Sequence, residues 1–201
     1  MPLITINNLS FSYGREEILK DINWQIASNQ CWHLKGFNGC GKSTLLKVLC
    51  SLLIPQKGTI QKSFSDNPSL YSPEIGLYQD LTIEQNMSFF SQLREIDQEF
   101  AQKLSHELDI QSLKKKVFRQ LSHGQRFRVQ LYQSLIINTP LYLLDEPLEG
   151  LDVSQLAHIY QALHSLKQKG KTWVVVSHMV PKELDALLTH RAHMDAGLLH
   201  L

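Results

Sequence analysis

The stretch Gly36-Phe37-Asn38-Gly39-Cys40-Gly41-Lys42-Ser43 places glycines, a lysine and a hydroxyl at the fixed spacing GxxxxGK[ST]. Glycines let successive backbone N–H groups turn inward, and a following helix presents its N-terminus to the same point, so the segment is built to cradle phosphate oxygens. Lys42 would reach the β- and γ-phosphates, and the Ser43 hydroxyl would ligate Mg²⁺. A second chemical pair, Asp145-Glu146, closes the apolar run Leu141-Tyr142-Leu143-Leu144. Carboxylates at the C-terminal edge of a parallel strand stand where ligands bind. There Asp145 would hold Mg²⁺ through water and Glu146 would polarise an attacking water. Ser177-His178 follows another apolar run, so His178 is expected at the same sheet edge.

These groups need elements to hold them. Residues 30 to 35 read as a strand running straight into the glycine-rich turn. After the turn, Leu45, Leu46, Val48, Leu49, Leu52 and Leu53 fall on one helical side, and Pro55 stops the pattern. Ile4 and Ile6, then Ile22, Trp24 and Ile26, alternate with polar neighbours as antiparallel strands do. Residues 83 to 137 carry helical patterns without strand-like alternation. Within them, Leu121-Ser122-His123-Gly124-Gln125 opens a helix whose apolar face includes Val129, Tyr132, Leu135 and Ile136, with Ser122 a good N-cap. The last third alternates: strand 141 to 144, helix 153 to 168, strand 172 to 177, helix 181 to 188, and a tight turn at Asp195-Ala196-Gly197. The expected fold is α/β, with a parallel core, an N-terminal antiparallel β layer and an inserted helical block.

Composition narrows the function. With 201 residues, 43% of them apolar and 19% charged, the chain is one domain with a real core. Twenty basic residues against 19 acidic ones leave a net charge of +1. That gives no reason to expect nucleic acid or an anionic membrane surface as a partner. The basic run Lys114-Lys115-Lys116, with Arg119, Arg126 and Arg128, reads as a solvated face. No apolar run is long enough to span a bilayer, and Met1 to Thr5 lack the marks of a signal peptide. Cys31, Cys40 and Cys50 form no CxxC pair, which points to a reducing compartment and away from a disulfide frame or a zinc site.

Taken in order along essentially the whole chain, these motifs resemble the nucleotide-binding subunit of ATP-binding-cassette (ABC) transporters. LSHGQ at 121 to 125 is similar to that family's LSGGQ signature, with His123 in place of the first glycine. The resemblance makes Gly36 to Ser43 the Walker A loop, Leu141 to Asp145 the Walker B strand, Glu146 the catalytic base and His178 the switch histidine. Leu151-Asp152 becomes the D-loop, and Tyr13 the aromatic that stacks on adenine. It implies a P-loop NTPase fold with a RecA-like core. A single ATPase domain would fill 1 to 201, with the core about 1–82 and 138–201 and the helical subdomain about 83–137. It implies ATP and Mg²⁺ as ligands, with Phe37, Asn38, Gly39, Cys40, Gly41 and Thr44 among the nucleotide contacts. Two copies would pair head-to-tail around two ATP molecules, each lending Ser122, Gly124 and Gln125 to the other's nucleotide. A separate membrane permease would anchor the pair on the cytoplasmic face. The family's Mg²⁺-touching glutamine falls on Glu74, in Tyr71-Ser72-Pro73-Glu74-Ile75-Gly76-Leu77, and Gln79 is the rival. The runs 76 to 82 and 119 to 126, and the short length, are most similar to the haem-export (cytochrome c maturation) branch. The other class to weigh is a soluble cassette ATPase acting on ribosomes or DNA. Its members carry tandem cassettes or long coiled-coil insertions, and neither is present here.

Overall fold

A computed structural model describes residues 2–74 and 76–201; Met1, and Ile75 inside the loop that carries Glu74, lie outside the described residues. The chain opens with a hairpin of β1 (Pro2–Tyr13) and β2 (Glu16–Ala27), followed by β3 (Cys31–Lys35), helix α1 (Lys42–Leu49), β4 (Lys57–Lys62) and β5 (Ser69–Tyr71). Helices α2 (Ile83–Ser91), α3 (Gln98–Glu107) and α4 (His123–Leu135) fill the middle. Then come β6 (Leu141–Asp145), α5 (Val153–Gln168), β7 (Thr172–Val176), α6 (Lys182–Asp185), β8 (His190–Asp195) and β9 (Leu198–His200).

Two sheets form. The smaller has the order β2-β1-β4, all antiparallel, and the larger has the order β5-β6-β7-β3-β8-β9. In the larger sheet only β9 runs antiparallel, at the edge. The central strands β6 and β7 are buried at every residue, which is why their sequences are unbroken apolar runs rather than alternations. One apolar core lies between the two sheets and α1, built on residues such as Trp24, Leu34, Leu45 and Val174. The other lies on the opposite face, where Phe100, Leu104 and Leu131 meet Trp173 and Val175. The sheet is thus held from both sides, and its C-terminal strand tips carry the residues singled out by type.

Two local readings change, and two strands appear where none was expected. The helix after the glycine-rich turn ends at Leu49 instead of running to Leu53. Ser51 takes a left-handed φ of 60°, and the N–H of Leu52 returns to the Lys47 carbonyl at 2.9 Å, so the chain turns out. Leu52 is consequently exposed, although its spacing fits the apolar face. Strands β4 and β5 had no sequence signal. Lys57–Lys62 contains one apolar residue, and its place is set by pairing with β1. The helix expected over 181 to 188 shrinks to Lys182–Asp185. The tight turn does form: Ala196 and Gly197, with φ of 44° and 86°, join β8 to β9 as a two-residue hairpin loop requires.

Candidate functional site

The loop from Gly36 to Gly41 leaves the tip of β3 and feeds α1. Gly41 and Gly36 show the two reasons glycine is needed here, backbone conformation and close approach. Gly41, the N-cap of α1, has φ 108°, which side chains rarely adopt. Gly36 is needed for closeness: a Cβ there would lie 2.3 Å from the Met194 carbonyl oxygen and 2.7 Å from Cys40 Sγ. Gly36→Ala is therefore expected to cost about 1–3 kcal/mol, a melting-temperature drop of roughly 2–12 °C for a chain of this size. A thermal melt checks it, and an unchanged midpoint would contradict the packing described.

Lys42 is buried (6% exposed), and its ammonium donates to the carbonyls of Gly36 at 2.8 Å and Phe37 at 3.0 Å, so it lies across its own loop. A cavity of about 230 Å³ opens beside it, lined by Asn38, Gly39, Gly41, Ser43, Thr44 and Glu146 together with Lys42 and Ile18. Glu146 thus stands over the loop although more than a hundred residues separate them in sequence. Phe37 projects into solvent, and Cys40 is buried under the loop.

Asp145 ends β6 and is nearly enclosed (5% exposed). Burial pushes its carboxyl above the usual carboxylate range, against a hydrogen bond from Ser43 and the charges of Lys47 and Lys42. Its Oδ1 is buried without a hydrogen-bond partner. An orphaned anionic oxygen beside a hydroxyl suits a hard divalent cation, which would offset the cost of burying the charge. The chemistry of Ser43 and Asp145 therefore fits Mg²⁺, and these two residues would hold it.

Glu146 occupies a left-handed backbone conformation, φ 49°, uncommon for a residue with a side chain. Its N–H bonds the Val176 carbonyl at 3.0 Å, which ties the tips of β6 and β7. Strain of this kind persists only where the surroundings over-determine it. Here it aims the carboxylate at His178, whose Nε2 lies 3.4 Å from Glu146 Oε1. Partial burial raises the Glu146 carboxyl, while His178 and then Lys42 pull it down.

The remaining candidates divide. Tyr13 is half-exposed at the hairpin end, edge-on to Phe11 with ring centroids 4.9 Å apart, and close enough to Lys47 to act on its charge. Ser122, Gly124 and Gln125 do not line the loop cavity. Ser122 and Gln125 cap α4 reciprocally: Ser122 Oγ accepts from the Gln125 N–H at 3.3 Å, and Gln125 Oε1 accepts from the Ser122 N–H at 3.2 Å. Gly124 packs on α5, where a Cβ would fall 1.9 Å from Gln155 Nε2. Glu74 turns to Lys47, at 2.6 Å, with its side chain 74% exposed, and that ammonium holds its carboxyl below the usual range. Gln79 instead lines a cleft together with Glu146, His123 and Glu149.

Two contributors were missed from sequence. Ile18 lines the loop cavity from β2, and nothing in its alternating strand marks it. Lys47 pairs with Glu74 and acts on Asp145; it lies four residues after Ser43, hence on the same helix face, and that spacing was readable.

A family model described as "ABC transporter" matches residues 19–149. The chain is an ABC-family ATPase. It is 30% identical over 187 residues to the energy-coupling factor transporter ATP-binding protein EcfA1 of Thermotoga maritima, covering 87% of this chain and 72% of that one. It is also 30% identical over 185 residues to the lantibiotic transport ATP-binding protein SrtF of Streptococcus pyogenes, covering 89% and 81%. Its fold matches a solved ATP-binding subunit of an ABC transporter with a TM-score of 0.88 at 20% identity, over 98% of this chain and 88% of that one. The ABC ATPase is thus the ATP-binding, ATP-hydrolysing type of subunit that works with membrane permease components. Among its described residues no helix is long and apolar enough to cross a membrane.

Proposed function

We propose that two copies of this ABC ATPase close head-to-tail around two ATP molecules on the cytoplasmic face of a membrane and drive a separate permease. The observation that carries the reading is that Glu146 lines the loop cavity together with Lys42 and has His178 beside it, 3.4 Å away. On binding, Lys42 exchanges the Gly36 and Phe37 carbonyls for phosphate oxygens, and the amides of Asn38 to Thr44 take the rest. Tyr13 stacks on the base. Glu146 accepts a proton from the attacking water as its oxygen bonds to the γ-phosphorus and the bond to ADP breaks. His178 keeps the carboxylate oriented. Ser43 and Asp145 would hold Mg²⁺, which when bound would supply charge neutralisation for the phosphates. Ser122, Gly124 and Gln125 stay out of their own copy's cavity, as residues that serve the partner copy's nucleotide from the capped start of α4 would.

The finer assignment we propose is the haem-export, cytochrome c maturation branch. It is supported by the local text at 76 to 82 and 119 to 126. Relatives at equal identity are named for quite different transport systems, so only local features can choose among branches. Co-purification tests the reading. The tagged ABC ATPase, extracted in detergent, is expected to bring down a multispan membrane subunit. Recovery with ribosomal or other nucleic acid and no membrane protein would overturn it.

For the residue beside the metal and the attacking water, the geometry supports Gln79 better than Glu74, because Gln79 already shares a cleft with Glu146 while Glu74 is held by Lys47. Gln79→Ala is expected to lower turnover about tenfold. Glu74→Gln is expected to leave the ratio of ATP affinities with Mg²⁺ and with a chelator within about twofold of the parent. A collapse of that ratio in Glu74→Gln, with Gln79→Ala unaffected, would restore Glu74 to the metal.

A further inference from the structure

Strand β3 lies inside the parallel core, flanked by β7 and β8, with His33 opposite Val175 on one side and Arg191 on the other. Its neighbours Trp32 and Leu34 are apolar and buried, as the position demands. His33 is only 3% exposed, yet it is an imidazole. A polar ring enclosed in this way is costly unless something specific receives its hydrogen bond.

The receiver is the tip of β7. His33 Nε2 lies 3.0 Å from the Ser177 carbonyl oxygen. That oxygen can only accept, so Nε2 carries the hydrogen. The Ser177 hydroxyl donates its single hydrogen to the Met179 carbonyl at 2.8 Å, so its oxygen, 3.4 Å from Nε2, faces the ring as a second acceptor. The carbonyls of Ser177 and Met179 flank His178. Both are therefore fixed, one by the His33 ring and the other through the hydroxyl that the ring faces. One residue earlier, the Val176 carbonyl accepts the Glu146 N–H. The β7 tip is thus clamped between β3 and β6, and the clamp ends where the His178 ring meets the Glu146 carboxylate.

Burial holds the His33 ring below the usual histidine range. The Ser177 carbonyl opposes that, Arg191 and Lys35 reinforce it, and Asp185 weakly counters. A neutral ring with its one N–H on Nε2 meets the requirement.

We propose that His33 is a positioning residue for ATP hydrolysis: it fixes the Ser177–His178–Met179 turn so that His178 is presented to Glu146. The inference rests on the roles proposed above for Glu146 and His178. His33 is buried and does not line the loop cavity, so its removal is expected to act on turnover and not on binding.

The test uses the purified full-length ABC ATPase with saturating ATP and Mg²⁺, in the variants His33→Leu, His33→Gln, His178→Ala and His33→Leu/His178→Ala. Leucine fills the space without a donor, whereas the glutamine amide can restore the N–H to the Ser177 carbonyl. His33→Leu is expected to lower kcat about five- to tenfold with ATP affinity changed less than twofold. His33→Gln is expected to keep at least half of the parent kcat. On the His178→Ala background, His33→Leu should lower the remaining rate less than twofold, because the residue it positions is gone. The proposal is overturned if His33→Leu keeps kcat within twofold of the parent. It is equally overturned if Gln and Leu lose the same amount, or if the Leu loss is undiminished on the His178→Ala background. If His178→Ala alone hydrolyses at the parent rate, the role given to His178 fails first. That result is distinct from the failure of His33 alone.

Discussion

Glu146→Gln is expected to bind ATP with nearly parental affinity while turnover falls by about 10²- to 10⁴-fold, the range a positioned general base contributes. The substitution is chosen for what it leaves in place. The amide has the shape of the carboxylate, the left-handed backbone at this position asks the same of both residues, and the N–H to the Val176 carbonyl is untouched. An oxygen still faces His178. Only the proton-accepting capacity goes. Nucleotide titration and phosphate release under saturating ATP and Mg²⁺ check both halves, and Glu146→Gln with ATP should accumulate a dimer that size exclusion resolves. Hydrolysis within twofold of the parent rate would remove Glu146 from the role of base. The parent should also show the base in its pH profile. A base works only when ionised, and burial raises the Glu146 carboxyl. Turnover is therefore full above that raised value and declines as pH falls through it, at a higher pH than an ordinary exposed glutamate would give. The small residual rate of Glu146→Gln should lack this acid limb.

How much of this site could be read from the chain depends on whether backbone or side chain carries the information. Lys42, Ser43 and the loop glycines were legible because a phosphate cradle makes demands at fixed spacing, and few residue types meet them. Asp145 and Glu146 were legible because β6 is buried on both faces, so a carboxylate at its end is an abrupt change of chemistry. The end of α1 was not. Leu52 and Leu53 continue the apolar period, and what stops the helix is a left-handed turn at Ser51, a residue type that does not announce one. Strand β4 was silent because its place comes from the edge that β1 offers. The proposed preference for Gln79 over Glu74 draws on a tertiary fact the sequence does not announce: Lys47, on the adjoining helix, pairs with Glu74. His33 was silent too, since a histidine within a strand says nothing of what its ring will meet across the sheet.

Lys42→Ala should act on the other half of the cycle, with ATP affinity falling roughly 10- to 150-fold, the equivalent of one charge-assisted hydrogen bond worth about 1.5–3 kcal/mol. Two effects are joined in that number. The ammonium offsets triphosphate charge, and it also spans the loop through the Gly36 and Phe37 carbonyls. The bonds it gives up on binding reduce the net gain, which is why the estimate stops at one bond although more phosphate oxygens are in reach. Lys42→Gln separates the two effects, because its amide can still donate to a loop carbonyl but carries no charge. If charge decides, Gln binds as weakly as Ala; if loop shape decides, Gln recovers most of the affinity. The charge reading is the expected one. Lys42 also lowers the carboxyl groups of both Asp145 and Glu146 against the burial that raises them. Its loss therefore leaves those two acids less ready to ionise, the first as the group suited to the cation and the second as the base. Turnover in Lys42→Ala should consequently stay depressed even when ATP is raised far enough to refill the site, and a kcat restored to the parent value at saturating ATP would limit Lys42 to binding alone.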